Sequence, residues 1–179
     1  MAVRRKQIRD MVESLLGQHK ISRAPVPVDK IAKELGIQIK LDKVDDGLSG
    51  FIVRDKGKRA LIGANRSHHP NRQRFTIAHE LGHYFLHAGH TVHLDEGRLA
   101  YTVNLRNSDS SKGEDNDERE ANLFAAELLM PAKFLREDLE GVELDLLGDS
   151  KFLTDLAKKY SVSLQALTFR LTYLRYITD

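Results

Sequence analysis

One histidine-rich stretch constrains this chain more than any other part of the sequence. Within residues 74–87, His79 and His83 stand four residues apart and Glu80 follows the first of them, an H-E-x-x-H pattern. Pro70 suits a first helical turn, and apolar residues recur after it at three- and four-residue steps. The spacing therefore predicts an amphipathic helix with both imidazoles on one face, where they can bind the same ion.

The pattern also predicts a kind of chemistry, metal-assisted hydrolysis of an amide. Neutral imidazole suits Zn²⁺, and a catalytic zinc typically has three protein ligands and one open position for water. Glu80 stands beside the first ligand, so we expect its carboxylate to act as the general base on that water. The alternative is a histidine-rich amphipathic helix that binds no metal. A third ligand elsewhere in the chain would favour the metal site.

Composition limits the class of protein. The chain has 179 residues, of which 41% are hydrophobic and 30% charged, as in one compact globular domain. It has no cysteine, so disulfides and thiolate ligands are excluded and a metal must bind His, Asp or Glu. The formal net charge of +2 gives no case for nucleic acid binding. No apolar run has the length of a signal peptide core or a membrane span, so we expect a cytoplasmic protein with no membrane contact.

The order of the predicted elements indicates an α+β fold, a zincin-like single domain. A small, mostly antiparallel sheet is packed on the helices that carry the H-E-x-x-H pattern and the third ligand, and C-terminal helices follow. Asp55-Lys56-Gly57-Lys58 predicts a hairpin turn within this sheet. The predicted helices are 4–18, 29–35, the helix from Pro70, 114–130, 132–140, 152–160 and 163–176, and the predicted strands are 37–41, 49–54, 59–64, 90–95 and 100–106.

The predicted helix 114–130 offers the third ligand. Glu118 shares a helix face with small residues and with Asn122, whose side chain can accept an N–H from a ligand histidine. Glu120 shares its face with bulky residues such as Leu123, which would hold the backbone further from the metal. Packing direction therefore favours Glu118 over Glu120. The alternative for these glutamates is a solvated helix surface.

Two further residues near the pattern are candidates for the same site. His87 lies one turn after His83, but it has rotated away from the face of His79. It is expected to cap the helix, to line the cleft or to stabilise an oxyanion. Tyr84 is a weaker candidate, for hydrogen bonding in the transition state.

Two linked motifs give the chain a family resemblance. Residues 74–83, with the H-E-x-x-H pattern, and residues 118–131, with Glu-x-x-Ala-Asn and a closing Leu-Leu-Met-Pro, resemble the ImmA/IrrE family of zinc-dependent peptidases. Residues 48–51, Leu-Ser-Gly-Phe, resemble the N-terminal half of the same family. The resemblance covers most of the chain.

The resemblance implies a gluzincin-like site and a regulatory role. By resemblance, His79, His83 and Glu118 bind one Zn²⁺ per chain, with Mn²⁺ as the alternative ion. Glu80 is then the general base. Members of the family cleave helix-turn-helix transcriptional repressors, often of the XRE type, and so relieve repression in stress responses or mobile elements. The implied partner is therefore a protein substrate of that kind, and the sequence indicates no oligomeric state.

We expect residues 1–179 to form a single metallopeptidase domain. It comprises an N-terminal helix segment at 1–23, a catalytic core at 24–140 and a C-terminal helical pair at 149–177. We expect an extended substrate to pair with a sheet edge near residues 49–53, because strand addition uses backbone hydrogen bonds and tolerates varied side chains.

The C-terminal helical pair offers a different class of function. Residues 156–167 resemble a helix-turn-helix, and the second helix carries Gln165 and Arg170. Basic residues that could follow DNA phosphates are sparse there, so direct DNA binding is disfavoured. The remaining alternative is a non-catalytic regulatory protein that binds a repressor or DNA through these helices. Glu80 favours the peptidase, because a non-catalytic protein has no use for it.

Overall fold

The computed structural model describes residues 3–43, 49–54, 60–87, 92–95, 114–142 and 150–177. These ranges form an α+β fold, as the sequence predicts. The helices are α1 (Arg5–Gln18), α2 (Val28–Glu34), α3 (Pro70–Leu86), α4 (Glu114–Leu129), α5 (Ala132–Asp138), α6 (Ser150–Tyr160) and α7 (Leu164–Tyr173). The strands are β1 (Ile37–Asp42), β2 (Gly50–Arg54), β3 (Ala60–Asn65) and β4 (Val92–Asp95). The predicted strand 100–106 and the hairpin turn 55–58 lie outside the described residues.

The four described strands form one mixed sheet in the order β1-β3-β2-β4. β1 runs parallel to β3, whereas β2 is antiparallel to both β3 and β4. β2 and β3 pair antiparallel, as the predicted hairpin requires. Because β2 pairs on both sides, it is an interior strand, and the expectation that a substrate pairs with an edge near residues 49–53 is wrong. β4 instead lies at one edge of the described sheet.

Helix α3 lies at the centre of the fold. One side packs on β2 and β3, and another side makes the most extensive helix–helix contact of the described structure, with α4. All nine residues from Phe75 to His83 are therefore buried, although His79, Glu80 and His83 are polar. Buried polar side chains need partners, so the polar face of α3 must be satisfied by its neighbours.

Small residues permit these close approaches. A Cβ on Gly82 would lie 2.9 Å from the Cα of Ala121 and 3.2 Å from the Cβ of Phe124, so α3 and α4 touch where the sequence predicts small side chains. A Cβ on Gly50 would lie 2.2 Å from Cγ2 of Thr76. Because atoms cannot approach so closely, a larger residue at either glycine would push α3 away from its neighbour.

The amphipathic helix α1 covers the other side of α4. Its apolar residues Ile8, Val12 and Leu15 recur on one face and are buried. This spacing is the helical period that the sequence shows. The division of the chain into segments 1–23, 24–140 and 149–177 stays a prediction.

The C-terminal helices α6 and α7 are joined by a tight turn in which Ser161 has a φ of 53°. Arg170 of α7 does not face solvent. Its side chain is buried, and its guanidinium donates to both carboxylate oxygens of Glu127, at 3.0 and 2.5 Å. Arg170 is therefore not available to contact DNA, because its side chain is already used inside the protein. In the described part of the chain, none of the helices combines the length and apolar character of a membrane span.

Candidate metal centre

Three side chains from α3 and α4 converge at one point. Nε2 of His79 and Nε2 of His83 are 3.0 Å apart. Oε2 of Glu118 lies 3.4 Å from the first nitrogen, and Oε1 lies 3.2 Å from the second. The structure therefore brings together the three residues that the sequence offers as ligands. Between the two candidate carboxylates, Glu118 is the one that reaches both imidazoles.

The donor atoms fit a divalent metal ion. In a tetrahedral site with zinc–nitrogen bonds of about 2.05 Å, neighbouring ligand atoms lie about 3.3 Å apart. The observed separations of 3.0, 3.2 and 3.4 Å lie on either side of that value. If both Nε2 atoms carry lone pairs, these and the carboxylate repel one another at such distances unless a cation lies among them. Two histidines and one glutamate are also a ligand set found in hydrolytic zinc enzymes.

Asn122 fixes the orientation of the first histidine. Its Oδ1 lies 3.1 Å from Nδ1 of His79. An amide oxygen only accepts hydrogen bonds, so Nδ1 of His79 donates and its Nε2 keeps a lone pair. That lone pair faces Glu118 and His83. The structure thus places Asn122 where the sequence expects a partner for a ligand histidine.

His87 lies behind the second histidine, at the C-terminal end of α3. Its Nδ1 is 3.1 Å from Nδ1 of His83, and its Nε2 is 3.3 Å from Oε2 of Glu120 and 3.4 Å from Oδ1 of Asp117. Burial lowers the pKa of His87, although the nearby carboxylates oppose this effect. A neutral imidazole has one N–H and one lone pair, so His87 can accept at one nitrogen and donate at the other.

Glu120 is a buried residue that the sequence does not reveal. It is only 4% exposed, and Arg4 donates to it from the backbone N–H at 2.9 Å and from Nε and Nη2 at 3.0 and 2.5 Å. Burial raises the pKa of Glu120, but the hydrogen bonds from Arg4 outweigh burial and lower this pKa to about 2. Glu120 is therefore ionised at neutral pH. Arg4 and Glu120 are far apart in sequence, and no local pattern links them.

Glu80 and Tyr84 lie on the sheet side of α3. Glu80 is fully buried, and the position of a Cβ on Gly50 would be 3.7 Å from its Oε1. Arg54 of β2 donates to the carbonyl oxygen of His87 at 2.7 Å, and its positive charge attracts Glu80. Tyr84 stacks with this guanidinium, whose Cζ is 5.4 Å from the ring centroid. Arg54 thus holds the C-terminal turn of α3 against the sheet, a role that sequence reasoning missed because it depends on tertiary packing.

Three comparisons with known proteins bear on the family and the fold of this chain. Residues 32–172 match the model of the peptidase M78 family, described as the IrrE N-terminal-like domain. Metallopeptidase ImmA of Bacillus subtilis (strain 168) is 39% identical over 96 residues, which are 53% of this chain and 49% of that protein. A solved structure of a Mycobacterium tuberculosis transcriptional regulator has a TM-score of 0.63 at 15% identity, over 93% of this chain and 46% of its own.

These matches differ in what they show. The chain spans about half the length of the ImmA relative. The regulator shares the fold at low identity. The family match takes in both motifs of the candidate metal centre and most of the chain. The protein therefore belongs to the peptidase M78 family, the family of the IrrE N-terminal-like domain, which the sequence motifs already resemble.

Proposed function

We propose that this protein is a zinc-dependent endopeptidase. One observation carries the proposal: the donor atoms of His79, His83 and Glu118 meet at 3.0 to 3.4 Å, and Glu80 follows the first histidine on the same helix. These three residues would hold the ion. When bound, Zn²⁺ would polarise the scissile carbonyl and lower the pKa of the attacking water.

The protein's own residues supply the proton transfers and the orientation. Glu80 takes the proton of the attacking water and returns it to the leaving amine. Its burial between α3 and β2 limits competition from bulk water for its oxygens. Asn122 holds the ring of His79 with Nε2 directed toward Glu118. His87 contacts the far side of His83, and Tyr84 acts through Arg54, which holds the last turn of α3.

The proposed substrate is a helix-turn-helix transcriptional repressor of the XRE type, cleaved in the cytoplasm to relieve repression. The resemblance to the ImmA/IrrE family supports this substrate, and the absence of cysteine supports a reducing compartment. Among the described strands, β4 pairs on one side only, with β2. An extended segment of the substrate can therefore add to the edge at Val92–Asp95 through backbone hydrogen bonds.

The test is cleavage of an XRE-type repressor encoded beside this gene, with zinc supplied. Glu80→Gln should lower kcat by roughly 10²- to 10⁴-fold, because the general base is lost, while the zinc content of the protein stays unchanged. Glu13→Gln, an equivalent change on the exposed face of α1, is the matched control and should cleave at the wild-type rate. Wild-type cleavage by Glu80→Gln would refute the role of the base. A wild-type protein that binds the repressor without cutting it would favour the non-catalytic alternative.

A further inference from the structure

We propose that the N-terminal helix completes the metal centre through a chain of three positioning residues. Arg4, Glu120 and His87 form this chain, and it ends at the imidazole of His83. The inference rests on the metal site of the proposed function. It adds a requirement for α1, which lies outside residues 32–172, where the chain matches its family.

The first step is the contact between the two histidines. Nδ1 of His83 and Nδ1 of His87 are 3.1 Å apart, so one nitrogen must carry a proton and the other a lone pair. A metal bound at Nε2 of His83 needs the lone pair there, which leaves the proton on its Nδ1. His87 must then accept at Nδ1 and carry its own proton on Nε2.

The second step is the carboxylate that selects this form of His87. Nε2 of His87 faces Oε2 of Glu120 at 3.3 Å and Oδ1 of Asp117 at 3.4 Å, and both atoms are acceptors. The proton of His87 is therefore favoured on Nε2. Glu120 therefore favours the proton of His87 on Nε2, and His87 in turn favours the proton of His83 on Nδ1. Partners outside the ligand set orient ligand histidines in metal sites in this way.

The third step is the arginine that holds the carboxylate. Arg4 contributes its backbone N–H and its guanidinium to Glu120, and the guanidinium also reaches the carbonyl oxygen of Leu86 at 3.4 Å. A forked guanidinium fixes a carboxylate in direction as well as in charge, which a lysine cannot do. Arg4 is in turn held in place because the apolar face of α1 packs on α4.

The same two helices provide a matched control. Arg9 lies in α1, five residues after Arg4, which is the N-cap of that helix, and its Nη2 is 3.5 Å from Oε1 of Glu127 on α4. The side chains of Arg4 and Arg9 are 43% and 44% exposed. Each arginine therefore joins α1 to a buried glutamate of α4, but the glutamate of Arg4 is the one that contacts His87.

The experiment measures Zn²⁺ affinity by competition with a chelator, together with the absorption spectrum of the Co²⁺-substituted protein. Arg4→Ala and Glu120→Gln should each weaken zinc binding by roughly 10- to 100-fold and change the cobalt spectrum. Arg4→Lys should give an intermediate loss, because it keeps the charge without the fork. Arg9→Ala should bind zinc as the wild type does.

A conservative replacement of His87 separates orientation from packing. His87→Asn places an amide oxygen as many bonds from Cβ as Nδ1 was, so it can still accept from His83 and should keep most of the zinc affinity. His87→Phe fills the same space but offers no acceptor to His83, so this variant should lose the zinc affinity. Ring-nitrogen NMR of the zinc-bound wild type should show the proton of His83 on Nδ1 and the proton of His87 on Nε2.

Two results would overturn the inference. One is wild-type zinc affinity in Arg4→Ala and Glu120→Gln, both folded by circular dichroism. The other is a zinc-bound wild type in which the proton of His87 lies on Nδ1. The proposed function fails in a different way, through a wild type that binds zinc and cuts no repressor. The affinity series and the tautomer remain measurable in that case, so the two failures are distinguishable.

Discussion

Helix α4 carries two buried glutamates, one nearer each end, and each is held by an arginine, but the two pairs serve different purposes. Glu120, in the N-terminal half, is held by Arg4, and Glu127, near the C-terminal end, is held by Arg170. The side chains of both glutamates are nearly inaccessible, at 6% and 3% exposure. The difference lies in the next contact, because Oε2 of Glu120 is also 3.3 Å from Nε2 of His87.

An ion pair at a buried glutamate takes its role from its further partners. At the C-terminal end, Arg170 donates to Glu127 and to the carbonyl oxygen of Met130 at 3.1 Å, so the pair ties α7 to α4. At the N-terminal end the carboxylate is shared between a guanidinium and an imidazole. Glu120 contacts His87, and His87 contacts the proposed ligand His83, so the N-terminal pair is linked to the candidate metal centre.

The largest effect on zinc affinity is expected from replacing Glu118, the proposed ligand on α4. Glu118→Ala leaves two imidazoles without the carboxylate that faces them, so zinc affinity should fall by more than the roughly 100-fold that outer partners cause. The stability of the metal-free protein should change little, because the Glu118 side chain is 39% exposed. Zinc content after dialysis and thermal unfolding without metal measure the two quantities. Wild-type zinc content in this variant would remove Glu118 from the ligand set.

Loss of the C-terminal pair, Arg170 with Glu127, should have the opposite effect, a lower stability with an unchanged zinc content. Among the described residues, Arg170→Met leaves buried Glu127 with the longer contact to Arg9 alone, so the free energy of unfolding should fall by about 3 kcal/mol, while the folded protein keeps its zinc. The double variant Arg170→Met with Glu127→Leu should recover most of this loss, because no charge then stays buried. Denaturant unfolding and zinc content test both variants. Loss of zinc from folded Arg170→Met would show that the two ends of α4 are coupled.

Local patterns account for what the sequence predicts of the site. The helical period alone places His79 and His83 on one face, and small residues at Gly82 and Ala121 indicate where α3 and α4 touch. Glu118 follows from the same argument, since it lies on the small-residue face. These features depend on neighbours within a few turns of the same helix, which is the range over which periodicity carries information.

Contacts between distant segments account for what the sequence does not predict. Glu120 looks like a surface residue until Arg4, from the other end of the described structure, is placed against it. Arg170 looks like a free cation on α7, because no local signal shows that its face meets α4. The interior position of β2 depends in the same way on the order β1-β3-β2-β4, and a strand's own residues do not encode its neighbours.

A smaller effect is expected where α3 crosses α4, at the contact that brings the proposed metal ligands together. Gly82→Ala places a Cβ 2.9 Å from the Cα of Ala121, so α3 and α4 must separate. Overpacking of this kind costs about 1 to 3 kcal/mol, and the displaced helix should also weaken zinc binding. The matched control is Gly17→Ala in α1, where a Cβ meets no atom within 4 Å. That change should stabilise the protein by roughly 0.5 to 1 kcal/mol, because it restricts the unfolded chain. Equal effects of the two changes on stability would contradict the close approach.

The smallest effect is expected at the contact between α6 and α5, where Tyr160 donates to Oδ2 of Asp138 at 2.9 Å. Burial, together with this hydrogen bond, raises the pKa of Tyr160 above its ordinary value near 10. Because folding raises this pKa, the protonated hydroxyl of Tyr160 stabilises the folded state fully below a pH of about 10. This stabilisation declines as the pH rises further, because the unfolded chain loses the proton first.

Tyr160→Phe should therefore lower the free energy of unfolding by about 1 kcal/mol at neutral pH, since the partly exposed Asp138 keeps Lys159 as a partner at 2.6 Å. The deficit should shrink above pH of about 10, and zinc affinity should not change at any pH. Urea unfolding at neutral and alkaline pH measures the difference, with Tyr173→Phe as the control that keeps the aromatic ring contacted by Arg5. A deficit that stays constant into the alkaline range would show that the hydroxyl of Tyr160 does not hold its proton in the folded protein. A loss of zinc would place even this distant contact within the metal centre and remove the contrast between the two ends of α4.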